Sequence, residues 1–545
     1  MSLAELPLTE GTLARAGELA LHRTAPLDTG TAVLELVAQH AETDPDRPAV
    51  VDGGLTIGYR DLLARVGEIR AALSAQGVGA GDTVAAAGPR SAETPAVFLA
   101  LESLGASYLP VDPAWPAERV RDVLERSRAA LLLDYAPGDD GAPNVVRAAQ
   151  AERIASLRLP RPGGACHLPP RIARDRSAEI RYTIFTSGTT GRPKGATVEH
   201  RGMLNHLWAK IDDLSIGADD AVAFTAPLVF DISIWQMLCP LVAGGRIVVV
   251  DDTALRFPRR LVNTLETTGV TVVELVPTMV GWVVDEALRR GGSTARELRR
   301  LVSTGEELHP AAAARALDAL PHVGLVNAYG PTECSDDVTH HTVTRADTTR
   351  PRLPVGAPVA NTALYLLVDE GAAGWRAAEP GETGELFVGG TCVGPGYLND
   401  PRTTAKAFFA DPFDPASATG RLYRTGDLAR FDDGLVHYLG RGDRQVKVAG
   451  VRMELDEIEA VLSRHPAIEK CAVTVAGSGA RGELVAHYVP RAAVTRPELQ
   501  EALRATLPAA MVPRRWRRWD ALPLTPNGKV DHRSLEAAAD QEETR

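Results

Sequence analysis

The chain has 545 residues, enough for at least two compact units and far beyond a peptide, a single small module or a disulfide mini-protein. Apolar residues make up 45% and charged residues 24%, ordinary for a globular protein, and 49 glycines with 38 prolines fall short of a low-complexity composition. With 59 basic against 70 acidic residues the net charge is −11, which removes nucleic acid as a main partner, since only a local patch could hold a polyanion.

In chain order, residues 1–28 have weak periodicity and read as a leader segment. MSLAELPLTEG carries acids where a signal peptide needs a basic end and an apolar run. The first strong helix follows Thr31, with Val33, Leu34, Leu36 and Val37 on one face. Short β-branched runs then alternate with Ala- and Leu-rich stretches: a strand at 48–51 before a helix at 59–76, and a helix at 97–104 before a strand at 108–111. Residues 136–177, rich in Pro, Gly and Arg, read as irregular surface chain. The alternation resumes with strands at 181–185, 222–225, 246–250 and 270–276. This order predicts an α/β fold of mostly parallel sheets with flanking helices. After Gly440 a strand at 445–448, a helix at 454–463 and a strand pair at 471–475 and 484–489 predict a small C-terminal α+β domain. The polar end, SLEAAADQEETR, reads as frayed. The expected division is a leader 1–28, a core 29–442, a mobile subdomain 443–538 and a disordered tail 539–545. No apolar stretch approaches the roughly 18–20 residues of a membrane span. Five scattered cysteines (Cys166, Cys239, Cys334, Cys392, Cys471) without a CxxC pair fit neither a disulfide framework nor a zinc site, which points to a reducing cytoplasm.

The most informative segment is YTIFTSGTTGRPKG from Tyr182 to Gly195, a β-branched strand opening into a hydroxyl- and glycine-rich turn. Gly188, Gly191 and Gly195 let backbone N–H groups approach an anion, Thr186, Ser187, Thr189 and Thr190 offer hydroxyls, and Lys194 adds positive charge. It is not a Walker loop, because Pro193 and Gly195 flank the lysine. In NAYGPTE, Asn327 offers an amide to a purine edge, Tyr329 a ring to stack on it, and Glu333 a hard carboxylate suited to magnesium. Gly330 and Thr332 complete that turn.

TSGTTGRPKG resembles the phosphate loop of the adenylate-forming superfamily, which holds acyl-CoA synthetases, luciferases and nonribosomal-peptide adenylation domains. Further matches follow in order: GYRDL from Gly58, LGASYLPVDP from Leu104, FDISIW from Phe230, NAYGPTE from Asn327, GELFVGG from Gly384, YRTGD from Tyr423, GRGDRQVKVAGVRMELDEIE from Gly440 and PNGKVD from Pro526. The resemblance covers about residues 30–535 and implies ATP and Mg2+ as cofactors. It implies that Asp427 takes the ribose hydroxyls, with Tyr438 and Arg441 on the adenosine. It also implies that Lys529 swings into the cleft and, with Thr190 and Glu333, serves catalysis, Glu333 holding the metal. Asp443 matches the hinge of the small domain, with Gly440 and Gly442 near it in the sequence.

Phe230-Asp231 resembles the branch that activates α-amino acids, where the aspartate meets the substrate ammonium. Carried over position by position, the pocket is Asp231, Ile232, Trp235, Glu274, Val302, Thr304, Ala328, Asp336, Asp337 and Lys529. Glu274, Asp336 and Asp337 would repel one another unless a cation enters, so a cationic side chain is expected. Trp235 favours a short one: 2,4-diaminobutyrate or ornithine, with a β-amino acid, lysine or a guanidino relative as alternatives. A DD turn facing solvent is the ordinary reading of Asp336-Asp337. Ala449, Asp456, His532 and Cys334 depart from the family pattern. Ala449 and Asp456 bear on the acceptor step rather than on adenylation.

No HHxxxDG motif precedes residue 30 and no LGG[HD]S motif follows Lys529, so the expectation is a free-standing enzyme of nonribosomal peptide or antibiotic biosynthesis. It would load the phosphopantetheine thiol of a separate carrier protein, with a small MbtH-like protein as a further partner that the family allows. The rivals are an acid–CoA ligase of the same fold, opposed by Asp231, and a catalytically silent binding protein, opposed by Lys194, Glu333, Asp427 and Lys529.

Overall fold

The computed structural model describes the chain apart from residues 1–2, 139–140, 160–174, 188–192, 292–293, 443, 478–481, 524–529 and 541–545. Among the described residues the large domain holds three sheets. At its centre the strands Ala221–Phe224, Arg246–Val249, Val272–Leu275, Arg300–Ser303 and Gly324–Tyr329 run parallel, and Pro48–Asp52 joins them beside Arg246–Val249, with Leu55–Gly58 antiparallel at the edge. Their sequences (AVAF, RIVV, VVEL, RLVS) are continuous apolar runs because both faces are covered. Alternate residues divide between two cores. Val222, Val272, Val302 and Val326 face the helices His200–Leu214 and Ile232–Val242. Ala223, Val273, Leu301 and Leu325 face the helices Pro258–Thr267, Pro277–Arg289 and Pro310–Ala319. Period-two alternation puts Glu274 on the same face as Val272, towards the first pair of helices.

A second sheet orders Gly396–Tyr397, Lys194–Glu199, Ile180–Thr186, Ser107–Val111, Thr83–Ala87, Leu131–Asp134 and Ser156–Arg158. The third is antiparallel, built on Thr362–Asp369, Gly384–Gly390, Arg421–Asp432 and Leu435–Arg441. The small domain begins with the hairpin Gln445–Val448 and Val451–Glu454. The strands Ile468–Ala476, Glu483–Pro490 and Arg515–Arg518 follow, with the helices Leu455–Leu462, Arg496–Arg504 and His532–Asp540.

Three expectations are corrected. The segment read as a leader contains the helix Thr12–Leu19 and the strand Leu21–Arg23, which pairs with Thr362–Asp369 and extends the third sheet. Ala16 and Leu6 are buried there, so weak periodicity reflected short elements rather than loose chain. The region 136–177, expected to be irregular, contains the helix Pro143–Ala151 and the strand Ser156–Arg158; Val145, Ala148 and Ala149 close a core against Leu132. At the end of the chain, Ser534 to Asp540 belong to a helix that buries Leu535 and Ala539, where fraying was expected. No helix among the described residues is long and apolar enough to cross a membrane.

Candidate active site

The parallel strands deliver their carboxyl ends to one cleft, the place where open α/β sheets gather ligand groups. The register sets Ser303 beside Asn327 and Glu274 beside Val302, so Glu274, Thr304 and Asn327 arrive at the same level. Opposite them stands the hairpin of the small domain. Its two-residue turn, Ala449-Gly450, has φ of 50° and 77°, the left-handed pair that matches the twist of a tight hairpin. The Gly450 N–H donates to Glu306 Oε1 at 2.7 Å. A Cβ on Gly450 would lie 2.5 Å from Val276 Cγ1, so glycine alone lets the turn enter this far.

A cavity of about 390 Å³ is lined by Asn327, Ala328, Tyr329, Gly330, Asp427, Tyr438, Arg441, Lys447 and Arg452. Asp427 accepts from the Tyr329 hydroxyl at 2.5 Å and from Arg441 Nη1 at 2.8 Å. Each oxygen keeps a lone pair for another donor. The Tyr329 and Tyr438 rings lie 5.7 Å apart. The Asn327 amide donates to the Pro354 carbonyl at 2.9 Å. Gly330 is pressed against the turn that follows, since a Cβ there would lie 2.0 Å from the Asp336 carbonyl oxygen. The sequence-predicted Asn327, Tyr329, Gly330, Asp427, Tyr438 and Arg441 therefore meet in one place.

Glu333 is fully buried. It accepts from the Tyr397 hydroxyl at 2.8 Å and from Arg452 Nη1 at 3.0 Å, and lies 3.4 Å from Lys194 Nζ. Burial opposes its ionisation, yet Arg452 and Lys194 hold the carboxyl well below the usual range. Lys194 donates to the Tyr397 hydroxyl at 3.0 Å, and burial lowers its pKa. Thr186 Oγ1 lies 3.5 Å from the Lys194 carbonyl oxygen, Ser187 Oγ donates to the Arg452 carbonyl at 3.3 Å, and Thr332 is buried beside Glu333. Gly188, Thr189, Thr190, Gly191, Asp443 and Lys529 lie outside the described residues.

A second cavity, of about 340 Å³, is lined by Asp231, Ile232, Thr304, Thr332, Asp336 and Lys447 among others. Asp231 caps the helix Ile232–Val242, accepting from the Ile232 N–H at 3.0 Å, and burial raises its pKa. Behind the wall Trp235 and Val302 are fully buried, and Glu274, Ala328 and Asp337 are nearly so.

Here the three-acid expectation is corrected. The cation that relieves their repulsion is the protein's own Lys210, which sequence reasoning missed. Its ammonium lies 2.6 Å from Asp337 Oδ2, 3.3 Å from Glu274 Oε1 and 4.7 Å from the Trp235 ring centre. Trp235 Nε1 donates to the other Glu274 oxygen, and Thr304 Oγ1 donates to Asp337 at 3.3 Å. His340 lies 3.7 Å from Asp337 and 2.8 Å from Asp213, which also pairs with Arg23 of the N-terminal strand at 2.7 Å. Against the effect of burial, Asp213 and Asp337 raise the His340 pKa, and Lys210 and His340 hold the Asp337 carboxyl low. Burial lifts Glu274 to about 7.

Asp336 differs. Its Oδ2 is buried without a hydrogen bond among the described residues, although His206 Nε2 lies 3.3 Å away. Burial and Lys210 push His206 down to about 3, so it stays neutral and gives Asp336 no charge. Burial, Asp337 and Asp231 together lift Asp336 well above the carboxylate range.

Sequence reasoning also passed over Lys447 and Arg452. They are cross-strand partners on the hairpin, and their neighbours Val446 and Met453 turn to the core of the small domain. Period-two alternation in QVKV and VRME carried that signal. Between the domains a buried pair, Arg119 with Glu457 at 2.5 Å, adds to these contacts.

A family model described as "AMP-binding enzyme" matches residues 37–398, and one described as "AMP-binding enzyme C-terminal domain" matches 457–529. Among curated relatives, phosphinothricin tripeptide synthetase PhsB of Streptomyces viridochromogenes is 37% identical over 522 residues, covering 94% of this chain and 42% of the relative. Enterobactin synthase component F of Escherichia coli is 34% identical over 522 residues, covering 93% and 39%. The chain thus spans less than half the length of these relatives. Among solved structures, holo-PA1221, a protein containing adenylation and PCP domains, superposes with a TM-score of 0.80 at 29% identity, over 93% of this chain and 85% of that one. IdnL1 gives 0.74 at 29%, over 92% and 100%.

Proposed function

The chain belongs to the AMP-binding enzyme family of adenylate-forming ligases, and from that premise we propose that it activates a short diamino acid and passes it to a carrier. In the first step the substrate carboxylate attacks the α-phosphorus of ATP, giving aminoacyl-AMP and pyrophosphate. In the second a phosphopantetheine thiol attacks the acyl carbon, its proton leaves, and AMP departs.

The observation that carries the substrate reading is a pair of carboxylates on one cavity, Asp231 and Asp336, neither of which forms an ion pair with a lysine or arginine among the described residues. Asp337 and Glu274 are neutralised from within by Lys210. Two open acids suit two ammonium groups: Asp231 the α-ammonium, as the resemblance implies, and Asp336 the side-chain ammonium. An ammonium beside Asp336 restores its charged form, because a neighbouring positive charge reverses the effect of burial. Trp235 at the back of the wall keeps the side chain short.

Towards the nucleotide, Tyr329 and Tyr438 offer rings for the adenine and Asp427 its remaining lone pairs for the ribose. Glu333 fits a magnesium ion: it is one hard carboxylate beside the phosphate loop, and Mg2+ characteristically takes one or two carboxylates plus substrate phosphates. The ion would supply positive charge to the phosphates. Arg452 holds Glu333 in this arrangement of the domains, so magnesium binding there goes with withdrawal of the hairpin. Lys529 would act on the charge that develops at phosphorus, as the resemblance implies. With the hairpin in the cleft, Lys447 stands near Asp427 and Asp231, and burial lowers its pKa.

The test is ATP–pyrophosphate exchange with diaminobutyrate, ornithine, lysine, glutamine and leucine, followed by thioester formation on a holo-carrier protein or on coenzyme A. Diaminobutyrate or ornithine should lead the panel and the carrier should be the better acceptor. A neutral amino acid in first place would refute the substrate reading, and preference for coenzyme A would favour the acid–CoA ligase.

A further inference from the structure

Lys210 is fully buried on the helix His200–Leu214, one turn after His206 and one turn before Asp213. It belongs to none of the sequence motifs. Its ammonium bridges Asp337 and Glu274 and lies over the face of Trp235, while Glu274 accepts the indole N–H of the same ring. Thus one lysine fixes two acids and, through Glu274, the aromatic wall behind the cavity. We propose that Lys210 is a specificity-determining residue, a built-in ammonium that occupies Asp337 and Glu274, anchors Trp235, and leaves Asp336 as the single acid open to the substrate side chain.

This inference rests on the substrate pocket proposed above. Lys210 is a positioning residue: it reaches the substrate through Trp235 and the two acids. Without its charge, Glu274 and Asp337 lose their shared counter-ion and Trp235 loses a fixed acceptor. The pocket then favours a substrate long enough to bring its own ammonium deeper. The prediction is therefore a change in ratio between substrates, which a uniform structural defect would not produce.

The experiment compares exchange rates (kcat/KM) for diaminobutyrate, lysine and norvaline on the wild type, Lys210→Met and Lys210→Ala. Methionine keeps the volume without the charge. Removing one partner of a buried ion pair is strongly unfavourable, so Lys210→Met should lose diaminobutyrate activity by roughly a hundredfold, with a drop of at least about tenfold in the ratio of diaminobutyrate to lysine. Propylammonium, which matches the chain removed in Lys210→Ala, should restore much of the diaminobutyrate rate, whereas tetramethylammonium at the same concentration should not. An unchanged ratio in Lys210→Met, or a parallel loss on every substrate without rescue, would overturn the proposal. If Lys210→Met does not fold, the triple variant K210M/E274Q/D337N removes the charges together: relaxed selectivity supports the proposal and wild-type selectivity overturns it. A wild type that prefers norvaline refutes the diamino acid reading alone, and Lys210 is still judged by whether its loss changes the ratio of long to short side chains.

Discussion

Gly450→Ala separates the two chemical steps. The substitution places a Cβ 2.5 Å from Val276 Cγ1 at a residue with φ of 77°. The left-handed conformation costs a non-glycine residue about 1–2 kcal/mol, and overpacking a methyl group costs about 1–3. Two features argue for the lower end: Ala449 already adopts φ of 50° with a Cβ, and Val276 is only half-buried. The hairpin carries the backbone cost in either orientation of the small domain, since the turn is its own; only the overpacking against Val276, about 1 kcal/mol at the lower end, bears on docking. That lowers the population of the docked hairpin by roughly fivefold, at 1.4 kcal/mol per tenfold. Transfer of the aminoacyl group from preformed adenylate to a holo-carrier, followed in single turnovers, should slow by about that factor while pyrophosphate exchange stays within about twofold. Parallel loss of both, or transfer at the wild-type rate, would refute the role given to the docked hairpin.

Three further outcomes are expected. Asp427→Ala should raise KM for ATP by roughly ten- to a hundredfold, the worth of hydrogen bonds to a charged group, and an unchanged KM in initial-rate assays would remove Asp427 from the ribose site. Asp336→Asn should narrow the preference for diaminobutyrate over norvaline by at least about tenfold, read by exchange; undiminished preference would mean that the side chain points elsewhere. His206 is neutral in the fold, with its pKa lowered from 6.5 to about 3, so the unfolded chain binds the extra proton as pH falls below about 6.5. Each unit of descent from there should cost about 1.4 kcal/mol through this group. Urea midpoints measured at pH 7 and pH 5 should therefore fall less for His206→Asn than for the wild type, and equal falls would contradict the assignment.

Four strands of the central sheet, Pro48–Asp52, Ala221–Phe224, Arg246–Val249 and Val272–Leu275, were legible because they are mostly apolar and separated by helical stretches, whereas Arg300–Ser303 and Gly324–Tyr329 were not singled out. That Asn327, Tyr329, Gly330 and Asp427 line one cavity was legible because they sit in contiguous turns, NAYGPTE and YRTGD, whose chemistry each segment carries on its own. Short elements were harder: the helix Thr12–Leu19 and the strand Ser156–Arg158 are stabilised by partners distant in sequence, which local pattern does not reveal. Lys210 illustrates the deeper difficulty. His206, Lys210 and Asp213 recur at helical spacing, and a polar stripe of that kind ordinarily faces water. Here the stripe faces Glu274, Asp337 and His340, and only the tertiary arrangement reveals that its charges are already matched. Reading the three acids without it overstated the need for a substrate cation. Of the three, Asp336 alone has no lysine partner among the described residues.

The central claim is most directly tested with one isosteric pair. Norvaline replaces the terminal ammonium of 2,4-diaminobutyrate by a methyl group at nearly equal volume, so ATP–pyrophosphate exchange with the two isolates the charge. With norvaline Asp336 stays protonated, so what is lost is the charge-assisted contact to the ammonium, worth about 1.5–3 kcal/mol, and the account predicts that the wild type uses diaminobutyrate at least about tenfold better in kcat/KM. Equal use of the two, or preference for norvaline, would contradict it.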